Sequence, residues 1–308
     1  MNIRILKDRI AERASFVLCA CVVSFAFLMG LSLYCRARPV LAAVGLKAVL
    51  FSTVWHPSQS QFGLLSFIVG TLWVTAIAMA IAVPLSIMTA VYLSEYCTRR
   101  TQEFFKPIID LLAGISPVIY GFWGLAAVVP LVRDHLMPFC SRHMPFFPFK
   151  SDNYTGFSAL TGGIVLAVMV FPVIIAIVGE VLKTVPASIK EASFALGATR
   201  WQTIRRVVLR KAGVGIIAAI MLGLSRAFGE TIAVLMVAGC ALGITPKSIF
   251  DPAYPLPALI ANTYGEMMSI PLYDAAVLLA AFILLVVTAV FNIVGWSILL
   301  RVEREIQY

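Results

Sequence analysis

Six long apolar stretches, separated by polar segments, dominate the pattern of this 308-residue chain. Each stretch reaches or approaches the length of about 20 residues that a helix needs to cross roughly 30 Å of hydrocarbon. They lack a period-two alternation of apolar and polar residues, so helices are favoured over the strands of a barrel. The sequence therefore predicts an all-α membrane protein, a single domain over residues 1–308 whose transmembrane helices cover residues 15–34, 64–93, 108–131, 158–182, 212–242 and 274–300.

The amino-acid composition is also typical of a protein that is embedded in a lipid bilayer. Hydrophobic residues make up 61% of the chain and charged residues only 13%, too few to cover the surface of a water-soluble domain. The first apolar stretch follows basic residues, as in a signal peptide, but no small-residue cleavage site comes after it. We therefore predict that it is a permanent span.

Lys and Arg residues are unevenly distributed between the two ends of the predicted bundle. Sixteen of the 24 fall in the termini and near residues 99–106 and 183–211, seven fall in the opposite loops, and Arg226 lies within a span. Because cytoplasmic loops carry an excess of basic residues, both termini are predicted to be cytoplasmic, in a bacterial inner membrane. The net charge of +9 is then explained by loops beside the lipid headgroups and predicts no nucleic-acid partner.

Residues that bind metals or perform catalysis show no informative spacing. The six cysteines lack metal-ligand spacing, and His56, His135 and His143 all fall outside the predicted spans. We therefore predict no catalytic residue, no bound metal and no cofactor in this chain, which disfavours an intramembrane enzyme. Cys35 and Cys140 fall on the same predicted outer side, and the sequence leaves open whether they pair.

The polar loop over residues 183–211 has the pattern of two short helices joined by a turn. Pro186 suits a helix start, and Gly197 suits a left-handed helix stop. Thr199, followed three residues later by Gln202, predicts a capping box that begins the second helix. Such a hairpin presents an apolar tip of Phe194 and Leu196, which either rests on lipid headgroups or enters a groove on a partner protein.

The spacing within this hairpin resembles the EAA loop of ABC importer permeases. Glu191, Ala192 and Ser193 are followed, after three residues, by Gly197 and Ala198. The resemblance implies that the loop docks on a separate cytoplasmic ATPase, to which ATP and Mg bind. The chain itself contains no GxxxxGK[ST] phosphate-binding loop, so nucleotide hydrolysis is assigned to a partner.

A lone cation and a lone anion, Arg226 and Glu230, occur four residues apart in the fifth predicted span. As helical neighbours they are predicted to share one face. Charges at membrane depth are costly and line a wet cavity or pair with each other. We predict a polar element of the translocation path, and a purely structural ion pair is the alternative. Further predicted path residues are Ser225 and Thr231 beside the pair, and Ser116 and Tyr120 in the third span.

The segment around this pair, LSRAFGETIAVLMVAG, is similar to the R-A-x-G-E-T segment of phosphate-specific ABC importer permeases of the PstC type. The blocks FGLLSFIVGTL and SPVIYGFWG agree with that resemblance, which runs from about Val54 to the C-terminus. It implies the type I importer permease bundle of six helices and inorganic phosphate as substrate. It also implies a PstA-like partner permease, two copies of a PstB-like ATPase and a periplasmic phosphate-binding protein.

Several other functions stay open from the sequence alone. Within importers, the chain is alternatively the PstA-type partner or a permease for another oxyanion such as sulfate or molybdate. A secondary transporter or channel is a different class, but it is expected to show internal repeats, which the chain lacks. The partner proteins distinguish these classes, because only an ABC importer requires an ATPase and a capture protein.

Overall fold

The computed structural model describes residues 3–143, 146–151, 153–266, 270 and 272–307, most of them in helices. In chain order the helices are α1 (Ile3–Val44), α2 (Leu46–Phe51), α3 (Leu65–Val91), α4 (Arg99–Gly114), α5 (Pro117–His143), α6 (Ala159–Lys183), α7 (Ala187–Ala195), α8 (Arg200–Lys211), α9 (Gly213–Gly229), α10 (Ile232–Val237), α11 (Leu256–Thr263) and α12 (Tyr273–Gln307). Wider π-helical turns follow α3 at Tyr92–Tyr96, interrupt α5 at Gly124–Val128 and Val132–Leu136, and interrupt α8 at Ile204–Val208. One antiparallel hairpin pairs β1 (Trp55–His56) with β2 (Gln61–Phe62).

Four helical segments are each long and apolar enough to cross a membrane. They cover Arg9–Val44, Leu65–Tyr96, Ala159–Lys183 and Tyr273–Arg304. Two bent pairs meet the same criterion only as pairs, α4 with α5 and α8 with α9. The all-α fold class is confirmed, and the count of six crossings follows if each bent pair crosses once.

The third predicted span, over residues 108–131, is not one continuous helix, because the helix breaks inside it. α4 ends at Gly114, and α5 begins at Pro117 at an angle of 96° to α4. Ser116 is extended, with ψ 139°, because a residue before proline avoids the helical conformation. α4 is amphipathic and has no buried residue. The apolar length of this region is therefore divided between two helices that meet at a sharp bend.

Close contact among α3, α6 and α9 forms the largest core cluster. Gly163 of α6 faces Ile77 of α3, where an added Cβ atom would lie 2.5 Å from the Ile77 side chain. Gly223 of α9 faces Ile174 of α6 in the same way, at 2.8 Å. Small residues thus let the backbones of the three helices approach each other closely. Pro84 lies within α3.

A second core surrounds the β1–β2 hairpin, at the end of the bundle opposite α7. The Trp55 ring makes edge-on contacts with the rings of Phe62 and Phe67, at centroid distances of 5.6 and 5.4 Å, and Tyr273 of α12 completes the cluster. Between the first two predicted spans, α1 continues as a helix to Val44, ten residues beyond the predicted end, and α2 follows. Aromatic packing therefore fixes the β1–β2 hairpin against α3 and α12.

Two cysteines that the sequence placed on one side, Cys35 and Cys140, are both free. Cys35 lies in α1 and is exposed, whereas Cys140 lies in the last turns of α5 and is partly buried. The pairing that the sequence left open is therefore not formed.

Candidate functional site

The loop between α6 and α9 folds as the helical hairpin that the sequence predicts. α7 ends in a left-handed turn at Gly197, whose φ is +80°. The Ala198 amide donates to the Ser193 carbonyl at 3.2 Å, and the Gly197 amide donates to the Phe194 carbonyl at 2.9 Å. These two bonds form a Schellman motif, which satisfies carbonyls left free by the end of the helix.

α8 begins with the predicted capping box. The Thr199 hydroxyl accepts from the Gln202 amide at 3.3 Å, and the Gln202 side chain accepts from the Thr199 amide at 2.9 Å. The hydroxyls of Ser193 and Thr203 lie 2.9 Å apart and join α7 to α8. Ser193, predicted as a docking residue, therefore holds the hairpin closed, and the hairpin is one compact unit.

The tip of this hairpin is apolar and exposed. Leu196 has 90% of its surface accessible, Phe194 47% and Trp201 55%. Glu191 and Ala192 on α7 are also exposed. Large apolar side chains presented together by a rigid turn are typical of a surface that a partner covers. This agrees with the predicted outward orientation of Phe194 and Leu196.

An acid that the sequence did not single out, Glu95, contacts this hairpin from the end of the second span. Its carboxylate lies 2.5 Å from the Lys190 ammonium of α7, and its carbonyl accepts from the Arg200 guanidinium of α8. That guanidinium also lies 4.8 Å from the ring centroid of Tyr96. The contact joins residues 95 positions apart, so no local spacing in the sequence reveals it.

The predicted pair of Arg226 and Glu230 is wrong in its geometry, because the helix ends between them. α9 stops at Gly229, Glu230 is extended with ψ 126°, and a new helix begins at Ile232. The two residues therefore do not share one helical face. Neither forms a salt bridge in the described part of the chain.

This break places a polar, non-helical backbone segment within the fifth apolar stretch. Arg226, Glu230 and Thr231 are all partly buried there, and the Thr231 hydroxyl donates to the Gly229 carbonyl at 3.2 Å. Irregular backbone at membrane depth persists where protein or a water-filled cavity surrounds it. Paths for polar substrates use such interrupted helices, because their free N–H and C=O groups contact the substrate.

The third span brings one predicted residue to this break. Tyr120 is buried in the same cluster as Ala233 of α10, and its hydroxyl donates to the Leu112 carbonyl at 2.8 Å. Neighbouring Gly121 packs directly against α10, where an added Cβ would lie 2.5 Å from Met236. Ser116 lies four residues before Tyr120 and is exposed at the start of α5.

Ser225 points toward a different helix. Its hydroxyl donates to the Asn292 side chain of α12 at 2.8 Å, so it fastens α9 to the last span. Asn292 is a polar residue in an apolar span, which is the signal that would have singled it out. No group of three or more His, Cys, Asp or Glu residues that would hold a metal ion occurs in the part of the chain that the structure describes.

Residues 82–304 match the family described as "Binding-protein-dependent transport system inner membrane component". The chain belongs to this family. The permease is 36% identical over 310 residues to the "Phosphate transport system permease protein PstC" of Xylella fastidiosa (strain Temecula1), covering 98% of this chain and 94% of that one. It is 34% identical over 315 residues to the "Probable phosphate transport system permease protein PstC" of Methanocaldococcus jannaschii, covering 100% and 99%. The resemblance to phosphate-type permeases is thereby confirmed.

Solved structures show the fold of this permease in other importers. A bacterial alginate ABC transporter matches with a TM-score of 0.59 and 14% identity, covering 95% of this chain and 96% of that chain. The inward-facing MetNI methionine ABC transporter matches with a TM-score of 0.51 and 20% identity, covering 78% and 94%. At these identities the likeness concerns the fold alone, and it confirms the predicted architecture of an ABC importer permease.

Proposed function

We propose that this permease is the PstC-type subunit of an ATP-driven importer of inorganic phosphate. The observation that carries the proposal is its 34–36% identity, over nearly the whole chain, to permeases named for phosphate transport. The same similarity favours the PstC type over the PstA type and over permeases for sulfate or molybdate. As a transport subunit, the chain contributes no catalytic residue.

The partners follow from what this chain presents and what it lacks. Its hairpin exposes Phe194, Leu196 and Trp201, a surface that suits a groove on a PstB-like ATPase. The chain carries no nucleotide-binding loop, so two copies of that ATPase supply ATP and Mg binding for the complex. A PstA-like permease forms the second half of the path, and a periplasmic phosphate-binding protein delivers the substrate.

The orientation is set by the basic residues. The α7–α8 hairpin, the end of α3 at Glu95 and the start of α4 lie at the same end of the bundle. This end carries most of the Lys and Arg residues that favour a cytoplasmic location. Both termini and the hairpin are therefore cytoplasmic, and the β1–β2 hairpin is periplasmic.

Phosphate passes the break between α9 and α10. Arg226 supplies donors that suit phosphate oxygens, whereas the negative charge of Glu230, four residues further along the chain, weakens the attraction. Weak attraction suits passage rather than storage. Thr231 directly follows Glu230, and Tyr120 packs in the same cluster as Ala233 of α10. Ser116 and Ser225 are the further candidates for the path.

The proposal is tested by rebuilding the complex in proteoliposomes. This chain is co-produced with a PstA-like permease, a PstB-like ATPase and the phosphate-binding protein encoded in the same genome. We expect ATP-dependent uptake of radiolabelled phosphate that excess unlabelled phosphate abolishes and excess sulfate or molybdate leaves unchanged. Uptake of labelled sulfate or molybdate without uptake of phosphate would overturn the substrate assignment.

A further inference from the structure

The helical hairpin formed by α7 and α8, which we call the coupling hairpin, is attached covalently to only two of the packed spans, α6 and α9. Its first helix follows α6 after Lys183, and its second helix leads into α9 at Gly213. The second span, α3, packs along α6 in the core but has no chain connection to the hairpin. A noncovalent contact is therefore needed if α3 is to follow a movement of the hairpin directly.

Such a contact exists at the end of the second span, and we call it the Glu95 cluster: Glu95 and Tyr96 together with Lys190 and Arg200. Glu95 binds both hairpin helices at once, through its carboxylate to Lys190 and through its carbonyl to Arg200. The Arg200 guanidinium also covers the ring of Tyr96, an arrangement that adds a cation–π attraction. Residues 95 and 96 thus contact both helices of the hairpin, α7 through Lys190 and α8 through Arg200.

Burial sets this ion pair apart from the others. The side chains of Lys190 and Glu95 are only 22% and 11% exposed, whereas those of Arg99 and Glu103 on α4 are 91% and 65% exposed. Water screens an exposed pair, which then contributes little. A mostly buried pair is screened less, and loss of one partner leaves a charge without compensation.

The backbone at the contact is a π-helical turn, Tyr92–Tyr96, that follows α3. A π turn inserts an extra residue and redirects the side chains that follow. The chain leaves the helix at Cys97, and α4 begins after Thr98. Glu95 therefore sits in the last turn before the chain changes direction, where it reaches the hairpin.

We propose that Glu95 is a positioning residue that fixes the coupling hairpin to the second span, so that movement of the hairpin is transmitted to α3 as well as to α6 and α9. The proposal rests on the proposed function as an ATP-driven importer. It assigns Glu95 a role in coupling rather than in substrate contact, because it lies at the hairpin end of the bundle.

A distance measurement in the assembled complex tests the attachment without any transport assay. Spin labels replace Ser188 on α7 and Met88 on α3, which are both exposed, in a background without the native cysteines. Pulsed electron resonance then gives the distribution of distances between them. We expect a narrow distribution in the parent, a broadened one in Glu95→Gln, and a narrow one again in the charge swap Glu95→Lys with Lys190→Glu.

Glu103→Gln is the matched control, because it removes an acid with a basic partner on exposed α4. It is expected to leave the distance distribution unchanged. A Glu95→Gln distribution as narrow as that of the parent overturns the proposal. If Glu95→Gln fails to assemble, Lys190→Gln replaces it, and failure of the charge swap to restore assembly or distance also counts against the proposal.

The functional readout is the number of phosphate ions imported per ATP hydrolysed. We expect this ratio to fall by about tenfold in Glu95→Gln, the scale of one charge-assisted contact, with ATP hydrolysis retained and with recovery in the charge swap. A parallel loss of hydrolysis and uptake would indicate a merely structural role and overturn the coupling assignment. If the parent complex imports no phosphate, the proposed function fails, while the distance measurement still decides the attachment.

Discussion

Substitution of Gly197 is the most direct test of the coupling hairpin, because a side chain at this position strains the backbone without clashing with a neighbouring residue. Its φ of +80° lies in the left-handed region, where an L-residue with a side chain costs about 1–2 kcal/mol. A Cβ atom at Gly197 would meet no atom within 4 Å. Any effect of a substitution therefore comes from the backbone and not from a steric clash.

The magnitude follows from these two facts. Alanine is expected to cost about 1–2 kcal/mol, which lowers the population of the Schellman turn by about five- to thirtyfold if the turn is marginally stable. Valine costs more, because a β-branched residue is a true outlier at positive φ. Asparagine costs least, because it is the residue other than glycine that most often adopts this conformation. We expect coupled uptake to decrease in the order Gly197, asparagine, alanine, valine.

The assay measures phosphate uptake and ATP hydrolysis in the reconstituted complex, with both normalised to assembled protein. Gly114→Val serves as the matched control, because Gly114 also has open space around its Cβ position and no positive φ. We expect Gly197→Val to uncouple transport by tenfold or more and Gly114→Val to retain it. Normal coupled uptake by Gly197→Val would refute the reasoning that the turn positions the docking surface.

Two further predictions concern orientation and the translocation path. In intact cells, a maleimide confined to the periplasm is expected to label Ser58→Cys in the β-hairpin turn and not Leu196→Cys at the hairpin tip; labelling of Leu196→Cys would reverse the proposed orientation. For the path, replacing both Arg226 and Glu230 by apolar residues of similar volume is expected to preserve assembly, because no charge then remains at membrane depth, and to lower phosphate uptake at least tenfold, because the donors for phosphate are lost. Near-normal uptake by this double variant would show that the two charges are only structural.

The helical hairpin was predictable from the sequence because every signal that defines it is local. A capping box needs two residues three positions apart, and a left-handed stop needs one glycine, so Thr199 with Gln202 and Gly197 carried the necessary information. Exposure of Leu196 follows from its place at the tip. The contact with Glu95 was not predictable, because 95 residues separate it from Lys190 and either charge also suits a solvated loop.

The breaks in the third and fifth spans were missed because hydropathy averages over about one span length. The residues around Ser116 and Pro117 remain apolar enough to continue a span, although the rule that a residue before proline avoids the helix identifies the break. Near Glu230 the only local sign is Gly229, the last residue of α9. The assumption of a continuous helix then gave the wrong face for Glu230. Which face a charge occupies depends on helix continuity, which composition does not report.

The position of the second break gives the hairpin a mechanical connection to the path. α8 bends by 70° into α9, and the 17 residues of α9 extend roughly 25 Å at 1.5 Å per residue. Arg226 lies in the last turn of this helix, immediately before the backbone becomes extended at Glu230. A rigid helix transmits a displacement of its first turn to its last turn, whereas an extended residue absorbs a change of direction. We therefore expect a movement of the hairpin to shift Arg226 relative to Glu230 and α10, and so to alter the charges along the proposed path.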